Sequence, residues 1–121
     1  MTETFELKKG GFNRIFKSDT WLIASIGHSE MYSEENFDHM KRHLTTDEVF
    51  VLIEGSATLY TFEDGKMVNT PLEKGKMCVV GKGTWHYLCA SEDALITVVE
   101  NSNLLPQDTE RIELECLVHK L

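Results

Sequence analysis

The apolar residues of this chain come in short runs, and almost every run ends at a glycine or a polar pair. TWLIASIG (20–27) is the first clear run; EVFVLIE (48–54) and ATLYTF (57–62) flank Gly55-Ser56. Asp64-Gly65 marks a tight hairpin turn before MVNTPL (67–72). Lys74-Gly75 precedes MCVV (77–80), and Gly81-Lys82-Gly83 precedes TWHYLCA (84–90). ALITVVE (94–100) closes the series. None is long enough to form a core helix, and Val, Ile, Thr and aromatics dominate. The pattern predicts an all-β chain folded as an antiparallel barrel or sandwich.

The remaining segments are less regular. NSNLLPQDTE (101–110) carries Pro106 and reads as a loop. In RIELECLVHK (111–120), Ile112, Leu114 and Cys116 alternate with Glu113 and Glu115, which predicts a strand at a sheet edge. Such an edge can pair with a second subunit, so a homodimer is expected through this segment. SEENFDHMKRHL (33–44) fits two local structures. As a short helix, it has Ser33 as its N-cap and Phe37, Met40 and Leu44 on one face. As a loop leading into a strand, it puts His39, Lys41 and His43 on one face. No repeat or linker divides the 121 residues, so one domain spanning 1–121 is expected, with its core in 36–100.

Charge and composition exclude several functions. A formal net charge of −8 is unsuited to the clustered cations that nucleic acid requires. There is no basic amphipathic helix for a membrane surface, and no apolar run approaches the ~20 residues of a spanning helix. The chain opens without a leader-like apolar stretch, and Cys78, Cys89 and Cys116 have no CxxC spacing. Buried free thiols in a cytoplasmic protein are the expectation. Trp21 and Trp85 lie within apolar runs and are expected in the core, with the methionines as flexible filling.

Against this background His43 and Glu48 stand at the entrance to the most apolar run, and His86 lies between Trp85 and Tyr87. Alternation sets His86 opposite the two aromatics, so if they pack between sheets, His86 points into the barrel. On a strand, His39 and His43 lie about 13 Å apart, from ~3.3 Å per residue, too far for one ion. Glu48 follows a short turn and can fold back beside His43. On a helix, His39 and His43 form an i, i+4 pair, but Met40 stands where HExxH has its glutamate. The spacing alone also fits satisfied core histidines and a solvated glutamate.

His43-x4-Glu48-x6-Gly55 resembles the first motif of the cupin superfamily, G-x5-H-x-H-x3,4-E-x6-G. Gly75-x5-Gly81-x-Gly83-x2-His86 resembles the second, G-x5-P-x-G-x2-H-x3-N. The resemblance implies a jelly-roll β-barrel (double-stranded β-helix) with only short helical turns. It implies a ligand set of His43, Glu48 and His86 for a divalent metal such as Fe, Mn, Zn or Ni. The departures are Glu35 for the leading glycine, Lys41 for the first histidine, Gly81 for the proline and Ala90 for the asparagine. Lys41 bears most on function. Either three groups bind a metal beside it, or its ammonium replaces the metal and pairs with Glu48.

The resemblance further implies a small polar ligand, a sugar or small organic acid, inside the barrel. In an isomerase, lyase or oxygenase, His43 and His86 would transfer protons while Lys41 binds the substrate's anionic oxygen. The alternative is a non-catalytic binding or structural cupin without a metal. The residues leave enzyme and binding module open.

Overall fold

The computed structural model describes residues 1–118. Among the described residues, ten strands form two antiparallel sheets. In chain order they are β1 (Phe12–Lys17), β2 (Trp21–Gly27), β3 (His39–His43), β4 (Glu48–Glu54) and β5 (Ala57–Glu63). They continue as β6 (Lys66–Pro71), β7 (Met77–Val80), β8 (Trp85–Ala90), β9 (Leu95–Asn101) and β10 (Thr109–Glu113), followed by the short helix α1 (Leu114–Val118). One sheet runs β1-β2-β9-β4-β7 and the other β10-β3-β8-β5-β6. This is the antiparallel architecture expected from the short apolar runs, in the jelly-roll form that the motif resemblance implied.

Period-two alternation builds the core between the sheets. In β4, Glu48, Phe50 and Leu52 are buried while Val49 and Val51 are half-buried on the opposite face. Ala24 and Ile26 from β2, Leu59 from β5, Leu88 from β8 and Ile96 and Val98 from β9 complete the packing. Asp64 (φ 51°) and Gly65 (φ 75°) are both left-handed, the backbone of a two-residue hairpin loop that suits strand twist.

Gly55 meets two constraints at once. Its φ is +71°, and a Cβ there would lie 2.7 Å from Ala94 Cα and 2.8 Å from Ala94 N. Both obstacles are backbone, so Gly55→Ala is expected to cost at least about 2 kcal/mol in urea unfolding. An unchanged midpoint would mean that the β4–β5 turn relaxes freely.

A second apolar cluster lies outside the barrel, against the β10-β3-β8-β5-β6 sheet. Met40, Tyr87, Cys89 and Leu117 are buried there, packed by Phe37, Tyr60 and Ile112. It explains one departure from expectation and the outcome of one open alternative. The strand predicted over 111–120 exists only in β10, which starts at Thr109 and pairs with β3. The chain then coils into α1, because a helical turn seats Leu117, only 2% exposed, in this cluster. Positions 119–120 of that predicted strand lie outside the described residues. Residues 33–44 take the strand alternative: a single 3-10 turn at Glu34–Asn36 and then β3, with no side-chain cap from Ser33.

Other expectations need correction. β1 had no expected run, because Asn13, Arg14 and Lys17 interrupt its apolar residues Phe12, Ile15 and Phe16. Trp21 is 44% exposed, because β2 sends Leu22, Ala24 and Ile26 into the core and Trp21 lies on the other face. Trp85 is half-buried beneath the Arg42 guanidinium, 4.3 Å from its ring centroid. Of the methionines only Met40 is buried; Met1, Met31, Met67 and Met77 are exposed. Cys89 is buried, Cys78 half-buried and Cys116 exposed, so the thiols do not share one environment.

Candidate functional site

Four strands bring the polar residues together. Alternation along β3 turns His39, Lys41 and His43 toward a cavity, while Met40 enters the outer cluster. β4 begins with Glu48, and β8 contributes His86, whose Cα partner across the sheet is Lys41. β9 adds Glu100. Val49 pairs with Val99, so the same register sets Glu48 opposite Glu100. The cavity measures about 300 Å³, with Phe12, Ile26, Phe50 and Leu88 among its walls.

At its centre, Glu48 Oε1 lies 2.8 Å from His43 Nε2 and 2.9 Å from His86 Nε2. This oxygen is buried yet receives no aligned hydrogen bond. One ligand atom from each of the three residues lies within 4.8 Å of the others. Ligands about 2.1 Å from a common ion, in adjacent octahedral positions, sit roughly 3.0 Å apart. In that arrangement each donor points at the shared centre, not at its neighbour. The close, misaligned approach of Oε1 to both rings matches it.

The outer ring nitrogens strengthen the fit. His86 Nδ1 is 2.9 Å from the Thr84 carbonyl oxygen. A carbonyl only accepts, so Nδ1 carries the proton and the neutral ring keeps a lone pair on Nε2. His43 Nδ1 lies 2.9 Å from the Thr109 hydroxyl. A neutral His86 lone pair facing a carboxylate is repulsive unless a cation lies between them or the ring gains a second proton. The residues present therefore fit a divalent ion.

Electrostatics follow the same geometry. Burial pushes the Glu48 carboxyl up, but the adjacent imidazoles His43 and His86 outweigh it and hold the group down at about 2. His43 is raised chiefly by its contact with Glu48, against burial and the opposing charge of Lys41. Glu100 is pushed up to about 7 by burial and then by the Glu48 charge. Tyr32, also at the cavity, is raised well above its ordinary value by burial and by both carboxylates, so its hydroxyl stays protonated.

The proposed Lys41–Glu48 ion pair is not formed: among the described residues the Glu48 carboxylate has only the two imidazoles as basic partners. Lys41 is exposed and stands at the cavity wall. A strand projects it beside His86, while Glu48 is already enclosed by histidines. His39 also borders the cavity but turns its Nδ1 to Asp38, 2.7 Å away, and takes no part in the three-residue cluster. Tyr87 faces the outer cluster and donates its hydroxyl to the Ser33 carbonyl at 2.8 Å. Sequence reasoning brought forward neither Glu100 nor Tyr32. Glu100 carried a usable signal, since it continues the inward series Ile96, Val98 along β9; Tyr32 sits in an irregular segment and carried none.

Comparison with solved structures accounts for the fold. A cupin-2 domain protein from Shewanella frigidimarina superimposes with a TM-score of 0.58 at 24% identity, over 78% of this chain and 82% of that one. An RmlC-like cupin from Methanocaldococcus jannaschii, described as a double-stranded β-helix, gives 0.59 at 16% identity, over 84% and 92%. The nucleoside dehydratase Pac13, from Streptomyces, gives 0.61 at 10% identity, over 93% and 92%. No protein-family model matches the chain, and no curated protein does. The chain has the cupin fold, as its two motifs implied.

Proposed function

We propose that this cupin-fold chain binds a divalent first-row metal through His43, Glu48 and His86. With that ion it holds a small polar molecule, a sugar or small organic acid, in the cavity. The observation that supports this reading most is the convergence of three ligand atoms with the His86 tautomer set by the Thr84 carbonyl. Two imidazoles and one carboxylate suit iron(II), manganese or zinc and leave positions free. Such an ion supplies Lewis acidity toward a substrate oxygen.

The chain's own residues do the rest. Lys41, at the wall, attracts and orients an anionic oxygen of the ligand. Tyr32 offers a protonated hydroxyl. Glu100, opposite Glu48, is placed to take or give a proton. Phe12, Ile26, Phe50 and Leu88 exclude water from the inner cavity. These groups suit isomerase, lyase or oxygenase chemistry on one small substrate. Among the similar folds, Pac13 is described as a nucleoside dehydratase.

The test is calorimetric titration of chelator-treated protein with manganese or zinc. One ion per chain is expected, with the melting temperature rising as metal is added. Absence of both heat and a melting shift at millimolar metal would overturn the reading. A sugar and small-acid thermal-shift screen, run with and without metal, then identifies the ligand. Product analysis of each hit separates an enzyme from a binding module.

A metal-free binding module is the second reading, favoured by the Lys41 charge that acts against positive charge at His43. It predicts ligand hits that are indifferent to chelator. The metal reading instead predicts that Lys41→Gln raises metal affinity several-fold, because a repelling ammonium is removed. Weaker metal binding by that variant would show that Lys41 does not oppose the ion.

A further inference from the structure

A row of charged and basic side chains crosses the β10-β3-β8-β5-β6 sheet beside the cavity. Register sets Arg111 of β10 opposite Lys41 of β3, and Lys41 opposite His86 of β8. Residues paired in this way point to the same face, with Cα atoms about 4.5–5.5 Å apart. Like charges at directly opposite positions are unfavourable. Arg111 is answered by Glu113, at 3.0 Å. Lys41 has no ion-pair partner among the described residues, although the chain carries a net −8. Its ammonium is an unanswered charge next to a second cation, and it borders the cavity.

Given a metal ion held by His43, Glu48 and His86, on which this rests, we propose that the ligand is a carboxylic acid of single charge with an apolar body, and that acid and ion bind as a coupled pair through Lys41. Charge balance requires the coupling. With neutral histidines and both Glu48 and Glu100 ionised, Lys41 leaves the metal-free cavity one charge negative. A dication makes it one charge positive, and one carboxylate brings it to neutrality. Neither partner is well accommodated alone. The ammonium repels the bare ion, and Glu48 and Glu100 repel the bare acid. Each partner relieves the repulsion that the other meets, and by linkage each raises the other's affinity by the same factor.

The opposite wall selects the body of the acid. The sheet facing Lys41 contributes Phe12, Ile26 and Phe50, and the 3-10 turn Glu30–Tyr32 adds Met31. Phe12 and Met31 are 38% and 55% exposed, so an apolar group can reach them. Tyr32 and His39 add polar groups, but His39 Nδ1 is engaged by Asp38. A sugar has a hydroxyl on nearly every carbon, and most would face these apolar side chains unpaired. A short branched or aromatic acid buries its body there and keeps one charged end for Lys41. A cavity of about 300 Å³ holds one such molecule.

Calorimetric titration of the chelator-treated full chain with manganese, alone and with millimolar 2-methylpropanoate, tests this. The acid should tighten manganese binding at least about fivefold, and manganese should tighten acid binding equally. The uncharged isostere 2-methylpropanamide should leave the metal affinity unchanged, as should glucose. Lys41→Gln should bind bare manganese more tightly and lose the effect of the acid. Lys41 is exposed, so the variant should keep the wild-type circular-dichroism spectrum. If it does not, the acid and amide compared on the wild-type chain decide. Manganese binding that is indifferent to the acid would overturn the coupling and leave the metal site standing. So would equal enhancement by the amide, or full enhancement in a folded Lys41→Gln. No manganese binding, with or without the acid, would overturn both.

Discussion

Glu48→Gln will weaken manganese or zinc binding at least about 100-fold while leaving the domain folded. Losing a partner that supports a ligand costs ~10- to 100-fold in metal affinity, and Glu48 is itself a proposed ligand. Glutamine keeps the volume of the side chain and removes its charge. Two imidazoles then remain, and neutral nitrogens alone hold a dication poorly once the carboxylate is gone. His86→Ala should lose as much, for a different reason: it removes the Nε2 lone pair that the Thr84 carbonyl holds in place. Calorimetry and metal analysis of the purified variants read both effects. Wild-type metal content in either variant would show that the cluster is not where the ion sits. Ligand binding without metal should persist in Glu48→Gln only if the metal-free reading holds.

The metal-free protein will be most stable near the ordinary carboxylate range and lose stability on both sides. On the acid side, Glu48 is depressed from 4.5 to about 2. Its contribution is present above pH 4.5 and is lost as pH falls toward 2; at ~1.4 kcal/mol per pH unit it is on the order of 3 kcal/mol. On the basic side the sign reverses. Glu100 is raised from 4.5 to about 7, so its stabilisation is full below 4.5 and disappears as pH rises through about 7. His43, raised from 6.5 by Glu48, adds to the same loss above its own ordinary value. Thermal melts of chelated protein should therefore decline between about pH 5 and pH 8, and Glu100→Gln should flatten most of that decline. Added metal should restore more stability at the higher pH, where its ligands no longer hold protons. A melt independent of pH over this window, with and without Glu100, would remove Glu100 from contact with the site.

Much of the candidate site was legible because its parts obey local rules. The inward parity of Glu48 and His86 follows from alternation with Phe50 and Leu88, and the strand alternative for 33–44 put Lys41 and His43 on one face. The choice between strand and helix there was not legible. Phe37 and Met40 satisfy either period, and the outer cluster, built partly from α1, is what favours the strand. The expected Lys41–Glu48 pair failed for a similar reason. Charge alone makes it plausible, but two histidines from separate strands reach the carboxylate first.

From the chain alone came the all-β class, the positions of most turns, and the histidines and glutamate that share a strand parity. Each depends on neighbours a few residues away, through side-chain alternation and the backbone freedom of glycine. Tertiary structure alone decided that Glu100 faces Glu48, that Tyr32 closes on both, and that the chain ends in a helix where alternation suggested a strand. Those outcomes depend on which strands pair, in which register, and on what covers each sheet. Alternation divides a strand into two faces; only assembly of the sheets makes one of them the inside.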